Sequence, residues 1–161
     1  MAKLEIKTKK KLTLKNVLKY EIIDGKVENI DKEVQKFITY LDISKIKTLG
    51  PLVTYTGNFK IDQETGTMTS NFSVMIQLES EYSNHPDYVF SKEEKVGNCL
   101  YLKFNDKEEF LQYASNKIDL VIYENDLTRN GGIYQVLIKR QNGYIETDFF
   151  QPIEEVINEI Q

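Results

Sequence analysis

Apolar and polar residues alternate with a period of two along several stretches of this chain, and turn residues cut each stretch off. Leu14, Leu18, Tyr20 and Ile22 share one parity, which predicts a half-buried strand within Leu12–Ile23, closed by Asp24-Gly25. The period then changes. Ile30, Val34, Phe37, Ile38 and Leu41 recur at helical spacing, with Asn29 or Asp31 as the candidate N-cap. Gly50-Pro51 stops helical structure. Leu52–Phe59 reads as a strand, Asp62–Thr67 as a hairpin connection and Met68–Leu78 as a further strand.

The same order then recurs. Asn98–Phe104 reads as a strand, and Asp106-Lys107-Glu108-Glu109 offers a capping box for a helix with Phe110, Leu111, Ala114 and Ile118 on its apolar stripe. The end of that helix is open, because Leu120-Val121-Ile122-Tyr123 suits an extended chain as well. Asn130-Gly131-Gly132 is a turn, and Ile133–Arg140 and Tyr144–Gln151 flank the hairpin turn Gln141-Asn142-Gly143. Residues 12–79 and 97–153 therefore share one plan: strand, helix, strand, strand. A polar connector, 80–95, joins them, and a tail, 154–161, carries a short helix over Glu155–Ile160. The predicted fold is one α+β domain over 1–161. Two tandem strand-helix-strand-strand repeats form a largely antiparallel curved sheet, with helices on one face and a central groove. Within the connector, Tyr82, Tyr88 and Phe90 either anchor it or form a lid.

Register assigns the faces. Phe72, Val74, Ile76 and Leu78 go under the first helix, and Ile145, Thr147, Phe149 and Ile153 under the second. The opposite parity sends Met75, Tyr101, Lys103, Tyr144, Glu146, Asp148 and Phe150 to the groove side. With Tyr55 and Tyr134 added, the candidate ligand-binding residues are Tyr55, Met75, Tyr101, Tyr134, Tyr144, Glu146, Asp148 and Phe150. The aromatics and the soft Met75 supply contact surface, and either acid can compensate a ligand cation.

Composition narrows the classes. A net charge of −4 argues against direct nucleic-acid binding. The basic start, with Lys3, Lys7, Lys9, Lys10, Lys11 and Lys15, reads as a solvated arm and edge strand, or as a contact for an acidic partner. No signal peptide or membrane-spanning apolar run is visible, so a cytoplasmic location is expected. Cys99 is the only cysteine and His85 the only histidine, so intramolecular disulfides and Cys/His zinc sites are excluded within one chain. Cys99 lies in an apolar run and reads as core; His85 lies in a polar turn and is expected to be exposed. No metal or cofactor is predicted.

The duplicated plan, the Gly50-Pro51 entry to the third segment and the ending Asp148-Phe149-Phe150-Gln151-Pro152-Ile153 resemble the GyrI-like effector-binding domain. The resemblance covers nearly the whole chain. It implies a small, often cationic or aromatic ligand in a groove between repeats, with Glu146 and Asp148 as the acidic groups. The chain departs from that family in having no Trp and in carrying Leu102-Lys103-Phe104-Asn105-Asp106 where a tyrosine- and histidine-rich signature is usual. No DNA-binding domain precedes residue 12, so a regulator with its own helix-turn-helix is not expected. A second resemblance, through Leu14-Lys15-Asn16-Val17 and the Gly-Pro third strand, is to a small uncharacterised Gram-positive family encoded beside type VII secretion toxins.

Three functions follow as expectations. The first is a non-catalytic, stand-alone small-molecule sensor of aromatic or cationic ligands. The alternative is a protein-interaction or adaptor module, accessory to a type VII secretion toxin locus; ten tyrosines amid mixed charge suit such a surface. An enzyme is the third. Glu146 and Asp148 share a parity about 7 Å apart, a geometry open to acid–base chemistry but more often only a solvated pair.

Overall fold

The computed structural model describes residues 3–82 and 85–155. Its elements in chain order are β1 (Ile6–Lys26), α1 (Ile30–Ser44), β2 (Thr48–Ile61), β3 (Met68–Leu78), β4 (Val89–Lys107), α2 (Leu111–Glu124), β5 (Ile133–Gln141) and β6 (Tyr144–Pro152). A short 3₁₀ turn leads into each helix, Val27–Asn29 before α1 and Glu108–Phe110 before α2.

The predicted open, curved sheet with a central groove is not what forms. The hydrogen-bonded order β1-β3-β2-β5-β6-β4 returns on itself as a closed six-stranded barrel. Closure needs strands with partners on both sides, which leaves no edge. The lengths of β1, 21 residues, and β4, 19 residues, serve that need. Their amino-terminal parts are lysine- and glutamate-rich and lack the apolar alternation that marks a strand, so the pattern hid them. Of the lysines expected on an arm and edge strand, Lys7, Lys9, Lys10, Lys11 and Lys15 lie inside β1 and Lys3 precedes it.

The chain divides into two compact units, Thr13–Glu94 and Met1–Leu12 with Lys95–Gln161. In the first, β3 pairs antiparallel with both β1 and β2. In the second, β6 pairs antiparallel with both β4 and β5. Each unit thus places its last strand between the other two.

In the unit Thr13–Glu94, Phe37 and Leu41 of α1 pack on Leu18 and on Phe72, Val74, Ile76 and Leu78, the last four at the parity predicted to lie under the helix. Fully burying a side chain such as Phe37 stabilises by about 1.5–3 kcal/mol. The helix ends before the expected Gly50-Pro51 stop: Lys45, at φ 54°, caps α1, and Gly50, at φ 77°, lies inside β2, where the register shifts between Leu49 and Val53. The connector is anchored: Tyr82, Tyr88 and Phe90 pack against this core. Tyr88 lies 5.4 Å from both the Tyr20 and Phe37 rings, and 4.5 Å from Tyr40. His85, expected to be exposed, is half-buried, its ring 5.0 Å from Tyr40 and 4.8 Å from Tyr88.

In the other unit, Ala114 and Ile118 of α2 pack on Leu102, Phe104, Ile145 and Phe149. Leu120–Tyr123 is helical, so α2 runs through to Glu124. Asp106, the expected N-cap, lies inside β4 rather than at the start of α2. Asp106 Oδ1 accepts from the Lys107 backbone N–H, and the 3₁₀ turn delays the helix. Asn142 and Gly143, at φ 52° and 79°, close the β5–β6 hairpin as predicted. The expected terminal helix lies, beyond Glu155, outside the described residues.

Candidate functional site

β4 and β6 run antiparallel with Tyr101 opposite Phe150, Lys103 opposite Asp148 and Asn105 opposite Glu146. On the other side of β6, β5 places Tyr134 opposite Phe150, Val136 opposite Asp148 and Lys139 opposite Glu146. Alternation puts this set on the face away from α2. Three adjoining strands thus carry an aromatic row, Tyr134–Phe150–Tyr101, next to a charged cluster.

The side chains meet as the register requires. The Tyr101 and Phe150 rings lie 5.0 Å apart, and the Tyr101 hydroxyl donates to Asp148 Oδ1 at 3.0 Å. Lys103 Nζ donates to Glu146 Oε2 at 2.8 Å and stands 3.9 Å from Asp148 Oδ1. Burial, and then the bond to Asp148, push the Tyr101 phenol up from its ordinary pKa. The hydrogen bond with Glu146 holds the Lys103 ammonium above its own. Phe150 is buried, whereas Tyr101, Glu146 and Asp148 keep a partly exposed surface.

Of the eight sequence-predicted residues, this unit brings Tyr101, Glu146, Asp148 and Phe150 into one cluster, with Tyr134 in register beside Phe150. Tyr144 is half exposed and, with Glu146 and Lys139, lines a cavity of about 490 Å³ at the hairpin end. Tyr55 and Met75 belong to the unit Thr13–Glu94. There Tyr55 is half-buried opposite Ser73, and Met75 is buried opposite Val53 and Lys19. Sequence reasoning did not include Lys103 among the site residues, although it shares Tyr101's parity two positions on. It also missed Gln151. This side chain, 1% exposed, donates to Gly131 O at 3.2 Å and Pro152 O at 2.8 Å, and accepts from Arg129 Nη1 at 2.6 Å. It fixes the turn that launches β5.

Cys99 is buried and its thiol is pushed up to about 11 by that burial. Among the described residues, no group of three His, Cys, Asp or Glu side chains could hold a metal ion. No helix among them is long and apolar enough to cross a membrane.

No family model matches the chain, and no curated protein matches it by sequence. Solved structures do match in fold. The EcmrR C-terminal domain superposes with a TM-score of 0.64 at 11% identity, over 96% of this chain and 98% of that domain. SAV2435 bound to tetraphenylphosphonium gives a TM-score of 0.55 at 12% identity, over 95% and 94%. The fold resembles that of the GyrI-like effector-binding domains. EcmrR in the EcmrR–DNA complex matches at a TM-score of 0.64 and 11% identity over 96% of this chain, which spans 58% of that EcmrR chain.

Proposed function

We propose that this chain is a non-catalytic sensor domain that binds a small aromatic molecule on the face of β4, β5 and β6 turned away from α2. The supporting observation is the Tyr101–Asp148 hydrogen bond beside the Phe150 ring, an acid and two aromatics held together in a GyrI-like fold. The aromatic row offers stacking surface and Asp148 offers a charge to a cationic group, aided by cation–π attraction. Lys103 answers Glu146 directly, so Asp148 is the acid with more of its field left for a ligand. SAV2435 was solved with tetraphenylphosphonium, an aromatic cation of the class expected here. The absence of a catalytic role is supported by the buried Cys99 thiol and by His85, whose ring packs on Tyr40 and Tyr88 and whose Nδ1 accepts from the Asp87 N–H.

Thermal shift against a panel of aromatic cations and their neutral analogues tests the proposal, because a ligand that binds only the folded state raises the melting temperature. The cations should raise it for the native protein and less for Asp148→Asn, with Glu146→Gln affected less. A panel with no effect on the native protein would refute ligand binding. Equal responses from native and both variants would move the site elsewhere.

A protein-interaction module is the second reading. It is favoured by Phe59, Ile61 and Met68, exposed on one face of the β2–β3 hairpin with Ile61 directly opposite Met68. Replacing Ile61 and Met68 by Ser should leave ligand shifts intact and abolish any co-purifying partner.

A further inference from the structure

A larger cavity, about 820 Å³, opens in the unit Met1–Leu12 with Lys95–Gln161, near the carboxy-terminal end of α2. Its volume falls in the range of small-molecule sites. Leu100, Val121 and Leu127 give it apolar walls. Lys9 and Lys11 of β1 line it, and among the described residues neither has an ion-pair partner.

Two features show a lining shaped around open space. Gly97 borders the cavity, and a Cβ built there meets nothing within 4 Å. Lys9 and Asn98, both lining residues, hold φ of 57° and 51°, a left-handed conformation that costs a non-glycine residue free energy and is found where surrounding structure enforces it.

The charges decide the ligand class. Among the described lining residues, Lys9 and Lys11 bring two ammonium charges, against the one carboxylate of Glu155 and the negative end of α2, equivalent to roughly half a charge. The last carbonyls of α2 are already engaged. Val121 O accepts from the Asn125 backbone N–H and from Asn125 Nδ2, and Ile122 O accepts from the Leu127 N–H. A small positive excess over apolar walls suits a monoanion with a hydrocarbon body. We infer that this cavity is a second ligand site, separate from the Tyr101–Asp148 cluster, and that it takes small amphipathic carboxylates.

Isothermal titration of the full chain with 4-phenylbutanoate tests this, with 4-phenylbutylammonium as the same skeleton of opposite charge. The carboxylate should bind and the ammonium should not. Lys9→Met with Lys11→Met should weaken the carboxylate by about tenfold or more. Gly97→Leu should narrow the cavity and weaken binding without lowering the melting temperature, since the added Cβ meets nothing within 4 Å. Asp148→Asn should leave carboxylate binding unchanged, which separates this site from the proposed sensor site. No binding to the native chain, equal binding of the two probes, or native affinity in Gly97→Leu would each overturn the inference.

Discussion

Tyr101 reaches diagonally across β4 and β6 to donate its hydroxyl to Asp148 Oδ1 at 3.0 Å, although the residue directly opposite it is Phe150. Diagonal neighbours on a sheet are within reach of long side chains. The bond ties the aromatic row to the acid and fixes the Tyr101 ring against Phe150. Tyr101→Phe should lower the unfolding free energy by about 1 kcal/mol, a net value for one partly exposed bond to a charged group. Urea denaturation measures it; an unchanged midpoint would show that the hydroxyl is equally well served by water.

Gln151 is a stricter case because it is buried. Gln151→Leu strands Gly131 O and one Arg129 donor while nearly preserving volume, and should cost about 2 kcal/mol. The same urea series checks it, with a loss below the error of the method as the opposing result.

The core supplies a contrast. Ile118 is 1% exposed on the buried face of α2, whereas Tyr123, on the same helix, is 84% exposed. Ile118→Ala should destabilise by about 2–5 kcal/mol, and Tyr123→Ala by no more than about 0.5 kcal/mol.

High pH should weaken the fold in a defined window. Hydrogen bonding to Glu33 pushes the Tyr20 phenol up to about 12, hydrogen bonding to Tyr40 pushes Tyr82 up to about 12, and burial pushes the Cys99 thiol up to about 11. Each group is neutral when protonated, so the unfolded chain ionises first. Their contribution is fully present below the ordinary values of 9.0 for the thiol and 10.0 for the phenols, and is lost as pH rises through about 11 and about 12. Melting temperature should fall across that window and fall less in Tyr20→Phe. A parallel fall in both proteins would exclude Tyr20 as a cause. At pH 8 the native Cys99 should resist thiol reagents and react on unfolding.

The sequence made legible those features that rest on strict periodicity. Phe72, Val74, Ile76 and Leu78 under α1, and Ile145 and Phe149 under α2, were readable because a two-residue period assigns a face once a helix is placed. Met68–Leu78 was readable to its ends because turn residues bound it. Barrel closure was not, because the amino-terminal parts of β1 and β4, with Lys7, Lys9, Lys10 and Lys11 and Glu93 and Glu94, are polar and leave no apolar trace of a strand. The grouping of Tyr101, Glu146, Asp148 and Phe150 followed from parity. The Lys103 ion pair needed the register of β4 against β6, which no local pattern encodes.

The most direct test of the proposed function is calorimetric titration of the native protein and of Asp148→Asn with tetraphenylphosphonium. Binding by the native chain, weakened about tenfold by the substitution, is the predicted result. Failure of the native chain to bind, or identical affinity in the two proteins, would contradict the assignment of ligand recognition to Asp148 and the aromatic row.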